Sequence, residues 1–260
     1  MSGKRNMGQQ GRAERSRRPC RALRLTLLAS LVLTVAYLGA VRTAQAPAVT
    51  IVVVRPSQTL AVLFRSHEAM SRPSRHSTPV YYAQARRPIT GGRTVLPVLG
   101  RKTSAGGVRW LRVELPGRPS GLTGWIRKRA TLPAATRWHI VVDISSRRVV
   151  VYKSAHQVHA FRAVVGKPST PTPLGNYFVE ESIRLPAGDV GAPYALALSA
   201  RSNVFQEFAG GPGQIAMHGL ANVGGVLGSA ASHGCIRLST GAMSWLVARI
   251  GPGTPVTITR

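Results

Sequence analysis

Beyond residue 50 the apolar residues come in short runs broken by Gly, Pro, Ser and Arg, a pattern of strands more than of helices. Trp110-Leu111-Arg112-Val113-Glu114-Leu115 alternates apolar and charged, as a half-buried strand does. Thr94-Val95-Leu96-Pro97-Val98-Leu99 precedes it and Thr123-Gly124-Trp125-Ile126 follows, across the turn-forming Pro116-Gly117-Arg118-Pro119-Ser120-Gly121. Further on, His139 to Ile144, Val149 to Tyr152 and Val158 to Val165 read as three successive strands, the first two joined at Ser145 to Arg148. A fourth begins at Gly175, and Thr254 to Ile258 is a closing strand. One helix stands out, Gly241 to Ile250, with Met243, Leu246, Val247 and Ile250 on one face. Ser239 or Thr240 is expected to cap its start, and Gly251 its end. The fold class that follows is mainly β, with one helix near the C-terminus.

The N-terminal pattern is different. Residues 1–24 are polar and basic; Leu25 to Val41 carries no charge; Arg42 closes the run and Ala44-Gln45-Ala46 follows. A basic region, an apolar region and an A-x-A site describe a secretory signal. The run is also near the lower limit for a membrane-spanning helix, roughly 17–25 residues. Residues 1–46 are therefore expected to be a basic region plus a cleaved signal or an uncleaved anchor that holds residues 25–41 in the membrane. Either way the remainder lies outside the cytoplasm. Residues 47–79, with the Ser/Pro/Arg-rich stretch Ser71 to Pro79, read as a linker. Residues 80–132 read as a small β module, and 137–260 as the domain that carries chemistry.

Composition narrows the partners. The 260 residues hold 35 Lys+Arg against 8 Asp+Glu, a formal net charge of +27. Such an excess suits an anionic partner. Membrane head groups or an acidic polymer fit that description, and for an exported chain no role for nucleic acid is expected. The only acids after residue 114 are Asp143, Glu180, Glu181, Asp189 and Glu207, and none clusters with His. Neither metal chemistry nor a paired-carboxylate mechanism is expected. Of the two cysteines, Cys20 precedes the apolar run, which leaves Cys235 as the sole thiol of the exported part. It has no disulfide partner within the chain there, so it is either buried or used.

Cys235 sits in Ser232-His233-Gly234-Cys235-Ile236-Arg237-Leu238; Met217-His218-Gly219 lies upstream, across a Gly/Ala-rich loop, Ala221 to Ala231. A cysteine nucleophile must lose its proton near neutral pH from a free pKa of about 8.5, and a histidine base accomplishes this. His218 and His233 are both placed for that task. Gly234 permits a tight turn before the nucleophile. Backbone N–H groups of Gly234 and Cys235 are candidates for an oxyanion. Arg237, on the strand face of Cys235, is a candidate for binding a substrate carboxylate.

This segment resembles the active-site signature of the YkuD-type L,D-transpeptidase catalytic domain: H-G, a variable loop, then S-H-G-C-[IV]-R-[LM]. The match is complete at His218, Gly219, Ser232, His233, Gly234, Cys235, Ile236, Arg237 and Leu238. Val165-Gly166 and Thr170-Pro171-Thr172-Pro173-Leu174-Gly175-Asn176-Tyr177 resemble the same family's upstream stretch, and the resemblance spans roughly 137–260. Residues 80–132 resemble bacterial SH3-like modules in the order W-L-R-V, turn, T-G-W-I. The family resemblance implies a β-rich YkuD-like domain and a peptidoglycan L,D-transpeptidase without cofactor. In it Cys235 forms a thioester with a stem peptide and a neighbouring stem's amine resolves it into a 3–3 cross-link. It implies His218 as the base, with His233, Ser232, Gly234 and Gly219 in support. Some family members carry Asn where Arg237 stands. Two other readings compete: an L,D-carboxypeptidase that passes the thioester to water, and a non-catalytic wall-binding protein.

Overall fold

The structure, a computed structural model, describes residues 52–207 and 211–260; the expected signal or anchor at 25–41 lies outside the described residues. Among those described, no helix is long and apolar enough to cross a membrane. The first seven strands are β1 (Gln58–Leu63), β2 (His67–Met70), β3 (Pro79–Ala83), β4 (Val95–Thr103), β5 (Arg109–Glu114), β6 (Thr123–Arg127) and β7 (Thr131–Thr136). They make one antiparallel sheet in the order β3-β2-β6-β5-β4-β1-β7. The three strands read from the sequence of this region are β4, β5 and β6.

The linker reading of residues 47–79 is corrected by this sheet. β1 and β2 fall inside that segment, and β1 is hydrogen-bonded on both edges, to β4 and β7. Leu60, Ala61 and Leu63 are buried. The Ser/Pro/Arg-rich stretch is the closed loop between β2 and β3, where the Ser77 hydroxyl donates to the carbonyls of Arg72 and Ser74. A short apolar run whose partners lie far along the chain carries no local sign of its pairing.

The second sheet contains β8 (Trp138–Asp143), β9 (Arg148–Lys153), β10 (His156–Arg162), β12 (Gly175–Arg184), β13 (Tyr194–Arg201), β14 (Gln214–His218), β16 (Ile236–Arg237) and β17 (Pro255–Thr259). Their order is β10-β9-β8-β17-β12-β13-β14-β16. The short strands β11 (Val165–Gly166) and β15 (Ala230–Ser232) pair in parallel beside it. The single helix, α1 (Thr240–Val247), lays Met243 and Leu246 on the sheet's core. Ser239 caps it by accepting from Ala242 N at 3.2 Å, as the sequence suggested. Gly251 does not end it: Ala248 is the C-cap in right-handed geometry, and the N–H groups of Arg249 and Ile250 turn back to Leu246 O.

Strand β12 of the second sheet lies against the first. Tyr177 and Val179 point into the core of the second sheet, and Phe178 packs among Leu63, Leu96, Leu111 and Ile126 of the first. That is the strict alternation of a strand covered on both faces. An irregularity in the β12–β13 register between Val179 and Glu181 lets two successive carboxylates bond to the first module. Glu180 receives Arg87 at 2.7 Å and, from its own sheet, Arg201 at 2.8 Å. Glu181 accepts from the N–H and hydroxyl of Thr90, both at 2.8 Å. Gly253 completes the contact: a Cβ there would stand 2.8 Å from Val95 and 3.0 Å from Leu60, so only glycine allows the loop before β17 to press against β1 and β4.

The buried Arg87–Glu180–Arg201 group yields a stability prediction. Removing the shared carboxylate leaves two largely buried guanidinium groups without their counter-charge. Glu180→Ala should therefore destabilise the folded chain by about 3–5 kcal/mol. Urea unfolding followed by tryptophan fluorescence measures this, and a change below about 1 kcal/mol would mean that water reaches the arginines.

Candidate active site

Cys235 lies in the three-residue link between β15 and β16, and His218 is the last residue of β14. β14 and β16 are parallel neighbours, with Met217 opposite Ile236 and His218 opposite Arg237. Neighbouring strands run about 4.8 Å apart, and positions in register share a face. The sheet therefore brings His218 and Arg237 side by side, with Cys235 one strand over and two positions back from Arg237. Two residues 17 apart in sequence are joined by a parallel pairing that needs the long Gly/Ala-rich crossover between them.

The link that carries the thiol is closed by one hydroxyl. Ser232 is fully buried; its Oγ donates to Cys235 O at 2.6 Å and accepts from Gly234 N at 3.1 Å. Gly234 has φ +121°, and a side chain there would press on Ile215. The upstream threonines brace the same turn from outside. Thr172 Oγ1 donates to Gly234 O at 2.8 Å and accepts from Gly166 N at 2.9 Å. Thr170 Oγ1 and Lys167 N both donate to Ser232 O. The Gly234 N–H, expected to face an oxyanion, is thus spent on Ser232. Of the two expected donors the Cys235 N–H is the one left uncommitted among the described residues.

His218 is held as firmly. Its Nδ1 lies 2.8 Å from Gly219 O. A carbonyl only accepts, so Nδ1 carries the hydrogen, and the neutral ring keeps its lone pair on Nε2. Gly191, at φ +83°, packs against this ring so closely that a Cβ would overlap Nδ1. Gly191 N donates to Ala221 O, and Gly219 N to Gly191 O, which ties both ends of the histidine turn to one loop.

The electrostatics hold both groups neutral. Burial pushes the half-buried Cys235 thiol above its ordinary range, while a backbone hydrogen bond from Ala216 and the Arg237 charge work the other way. Burial lowers His218; the hydrogen bond to Gly219 opposes this and the Arg237 charge adds to it. Arg237 itself is 9% exposed; its Nη1 makes a long contact to Gly224 O, 3.3 Å, and its Nε has no partner among the described residues. Gly225 is also close: a Cβ there would lie 3.5 Å from Arg237 Nη1.

His233 is exposed, and its ring stands 6.1 Å from that of Phe205, tilted at 59°. The structure therefore gathers Cys235, His218, Arg237, Ser232, Gly234 and Gly219 into one site and sets His233 on its outer rim. Sequence reasoning missed Gly191, the Ala216 backbone, the bracing threonines and Phe205. The threonines stood in the quoted upstream stretch, but nothing local tied them to the cysteine. His139, read as an ordinary strand residue, is buried against Thr257 and pushed down to about 4 by desolvation.

Comparison with known proteins gives the family. The family model of the L,D-transpeptidase catalytic domain (YkuD) matches residues 137–258. Over 128 residues the chain is 30% identical to the putative L,D-transpeptidase YkuD of Bacillus subtilis, which covers 49% of this chain and 70% of the relative. It is 27% identical over 130 residues to L,D-transpeptidase 1 of Mycobacterium tuberculosis, covering 45% of this chain and 49% of that one. Among solved structures, an L,D-transpeptidase from Mycobacterium tuberculosis H37Rv aligns over 64% of this chain and 90% of its own at 19% identity, with a TM-score of 0.42. With 70% of the Bacillus relative matched and the site assembled on β14 and β16, the chain belongs to the YkuD family of L,D-transpeptidases.

Proposed function

We propose that this chain is a peptidoglycan L,D-transpeptidase acting outside the cytoplasm, with Cys235 as nucleophile and His218 as general base. The carrying observation is the Nδ1–H of His218 committed to Gly219 O, which leaves a basic Nε2 on the strand beside the cysteine. The thiol is neutral at rest, so its proton passes to Nε2 as sulfur attacks the carbonyl between the third residue and D-Ala of a tetrapeptide stem. The Cys235 N–H faces the developing oxyanion. Imidazolium returns the proton to the leaving amine, D-Ala departs, and a thioester remains. The amine of a neighbouring stem's third residue attacks it, giving up a proton through His218 to the departing thiolate, and a 3–3 cross-link forms. Ser232, Gly234 and Gly219 hold the nucleophile turn and the base; His233 shapes the rim. Arg237 favours the thiolate as it forms, and it binds a stem carboxylate.

The direct test is the purified chain with tetrapeptide stems, products read by mass spectrometry. Cys235→Ala should form no product and keep its melting curve; turnover by that variant would sink the mechanism. His218→Ala should lower acylation by about 10²–10⁴-fold. Release of tripeptide without dimer would assign the thioester to water and make the enzyme a carboxypeptidase.

The pH profile follows from the two neutral groups. His218 works as a base only when unprotonated, and its pKa lies below the usual 6.5. Acylation should therefore persist at pH 6.5 and fall only as pH drops through that lowered value. Alkylation of Cys235 by iodoacetamide needs the thiolate, whose pKa is raised. Its rate should still be climbing past pH 8.5, the ordinary thiol value of about 8.5. A plateau by pH 7 would reveal a preformed thiolate–imidazolium pair instead.

The basic excess of the residues after 46 and the module of residues 80–132, which we take as SH3-like, are proposed to gather the enzyme on anionic wall polymer. Attraction between exposed charges is screened over about 8 Å at physiological ionic strength. Retention on purified sacculi should fall steeply along a salt series, with cleavage of a small soluble stem much less affected. Salt-independent retention would assign recognition to shape.

A further inference from the structure

The turn between β5 and β6 reaches across to the second sheet, and Arg118 makes three of the bonds. Arg118 Nη1 donates to Pro212 O at 2.9 Å; its Nη2 donates to Ser202 O at 2.9 Å and to Phe205 O at 2.7 Å. These carbonyls belong to the connection between β13 and β14, the strand that ends in His218. The connection is built to present them. Ser202 Oγ accepts from the N–H groups of Val204 and Phe205, and Ser202 N donates to Gly213 O at 2.7 Å. Gly213, at φ +64°, has no room for a Cβ, which would run into Phe205 O and stand 3.0 Å from Arg118 Nη2. A planar guanidinium spans such a set of acceptors; a single ammonium does not.

What this fixes is the ring of Phe205. It is half-buried and stands 6.1 Å from His233, two residues before the nucleophile. An aromatic wall beside an exposed imidazole two residues from Cys235 is a surface for the part of the substrate that flanks the scissile bond. We propose that Arg118 is a positioning residue: from the N-terminal module it holds Phe205 against His233 and so completes the stem-peptide binding surface of the neighbouring active site. The module is then a working part of the catalytic unit. The thiol and the base are held by Ser232, Thr172 and Gly219, none of which Arg118 touches, so the effect falls on substrate affinity.

This inference takes its substrate from the transpeptidase reading. The test compares the full chain with Arg118→Ala, Arg118→Lys and Phe205→Ala, each checked for an unchanged melting curve. Losing charge-assisted hydrogen bonds of this kind should raise KM for a tetrapeptide stem about tenfold in Arg118→Ala, with kcat within about twofold. Phe205→Ala should do the same, and the double variant should add little, because both act through one ring. Arg118→Lys should recover only part. Cys235 alkylation, measured without substrate, should keep its rate and pH dependence. A KM within twofold of the parent in Arg118→Ala, additive losses in the double variant, or slowed alkylation would each overturn the proposal. The same affinity comparison is made by calorimetry on a Cys235→Ala background, which needs no turnover. A parent chain that binds the stem but does not turn it over therefore counts against the transpeptidase reading alone.

Discussion

Strand β12 has no solvent face from Tyr177 to Glu181, and that burial obliges every side chain on it to find a complement. The apolar members divide between two cores: Tyr177 and Val179 to one, Phe178 to the other. The carboxylates cannot be left bare, because an isolated buried charge costs more than packing returns. Glu180 is met by Arg87 and Arg201, and Glu181 by the backbone and hydroxyl of Thr90. In a chain with only 8 acids, two are committed here. The first module is thereby held to the second by charge as well as apolar area, and the turn bearing Arg118 takes its place relative to the β13–β14 connection from the same junction.

The turn that leads into Cys235 obeys a related economy. Ser232 Oγ closes the turn in both directions, as donor to Cys235 O and acceptor from Gly234 N. The Gly234 carbonyl is taken by Thr172, and Thr170 joins the Lys167 N–H on the Ser232 carbonyl. The polar groups turned inward by the tight geometry are thus met by short side chains with one rotatable hydroxyl. That is a physical reason for Ser and Thr at these positions, apart from any role in the chemistry.

Much of this was legible in the sequence, for identifiable reasons. Alternation and turn residues located β4, β5 and β6 and the hairpins of the second sheet, because strand periodicity and turn chemistry are local. The S-H-G-C segment and the upstream histidine pointed to the site because an unpaired cysteine with a partner histidine is chemically unusual. What escaped reading is what depends on distant pairing. β1 was taken for linker since its partners are remote. The helix end was assigned to Gly251 because a glycine beyond a helix usually turns left-handed; here the turn closes without it, and Gly253 is the glycine the packing needs. Gly191 and Phe205 carry no motif, and their proximity to His218 and His233 exists only in the folded chain.

The neutrality of the Cys235–His218 pair bears on where family members work, at the cell wall. A thiolate is the species that oxidants and disulfides attack, and a low thiol pKa keeps it permanently exposed to them. In this site desolvation outweighs the Arg237 charge and the Ala216 hydrogen bond, so the thiol keeps its proton while no substrate is bound. Burial acts in the opposite direction on the imidazole, which keeps its lone pair available. On the proposed mechanism, proton transfer is deferred to the moment of attack, when the developing charge on sulfur is consumed by the new bond. Reactivity of the sole thiol after Cys20 is then conditional on a correctly placed carbonyl.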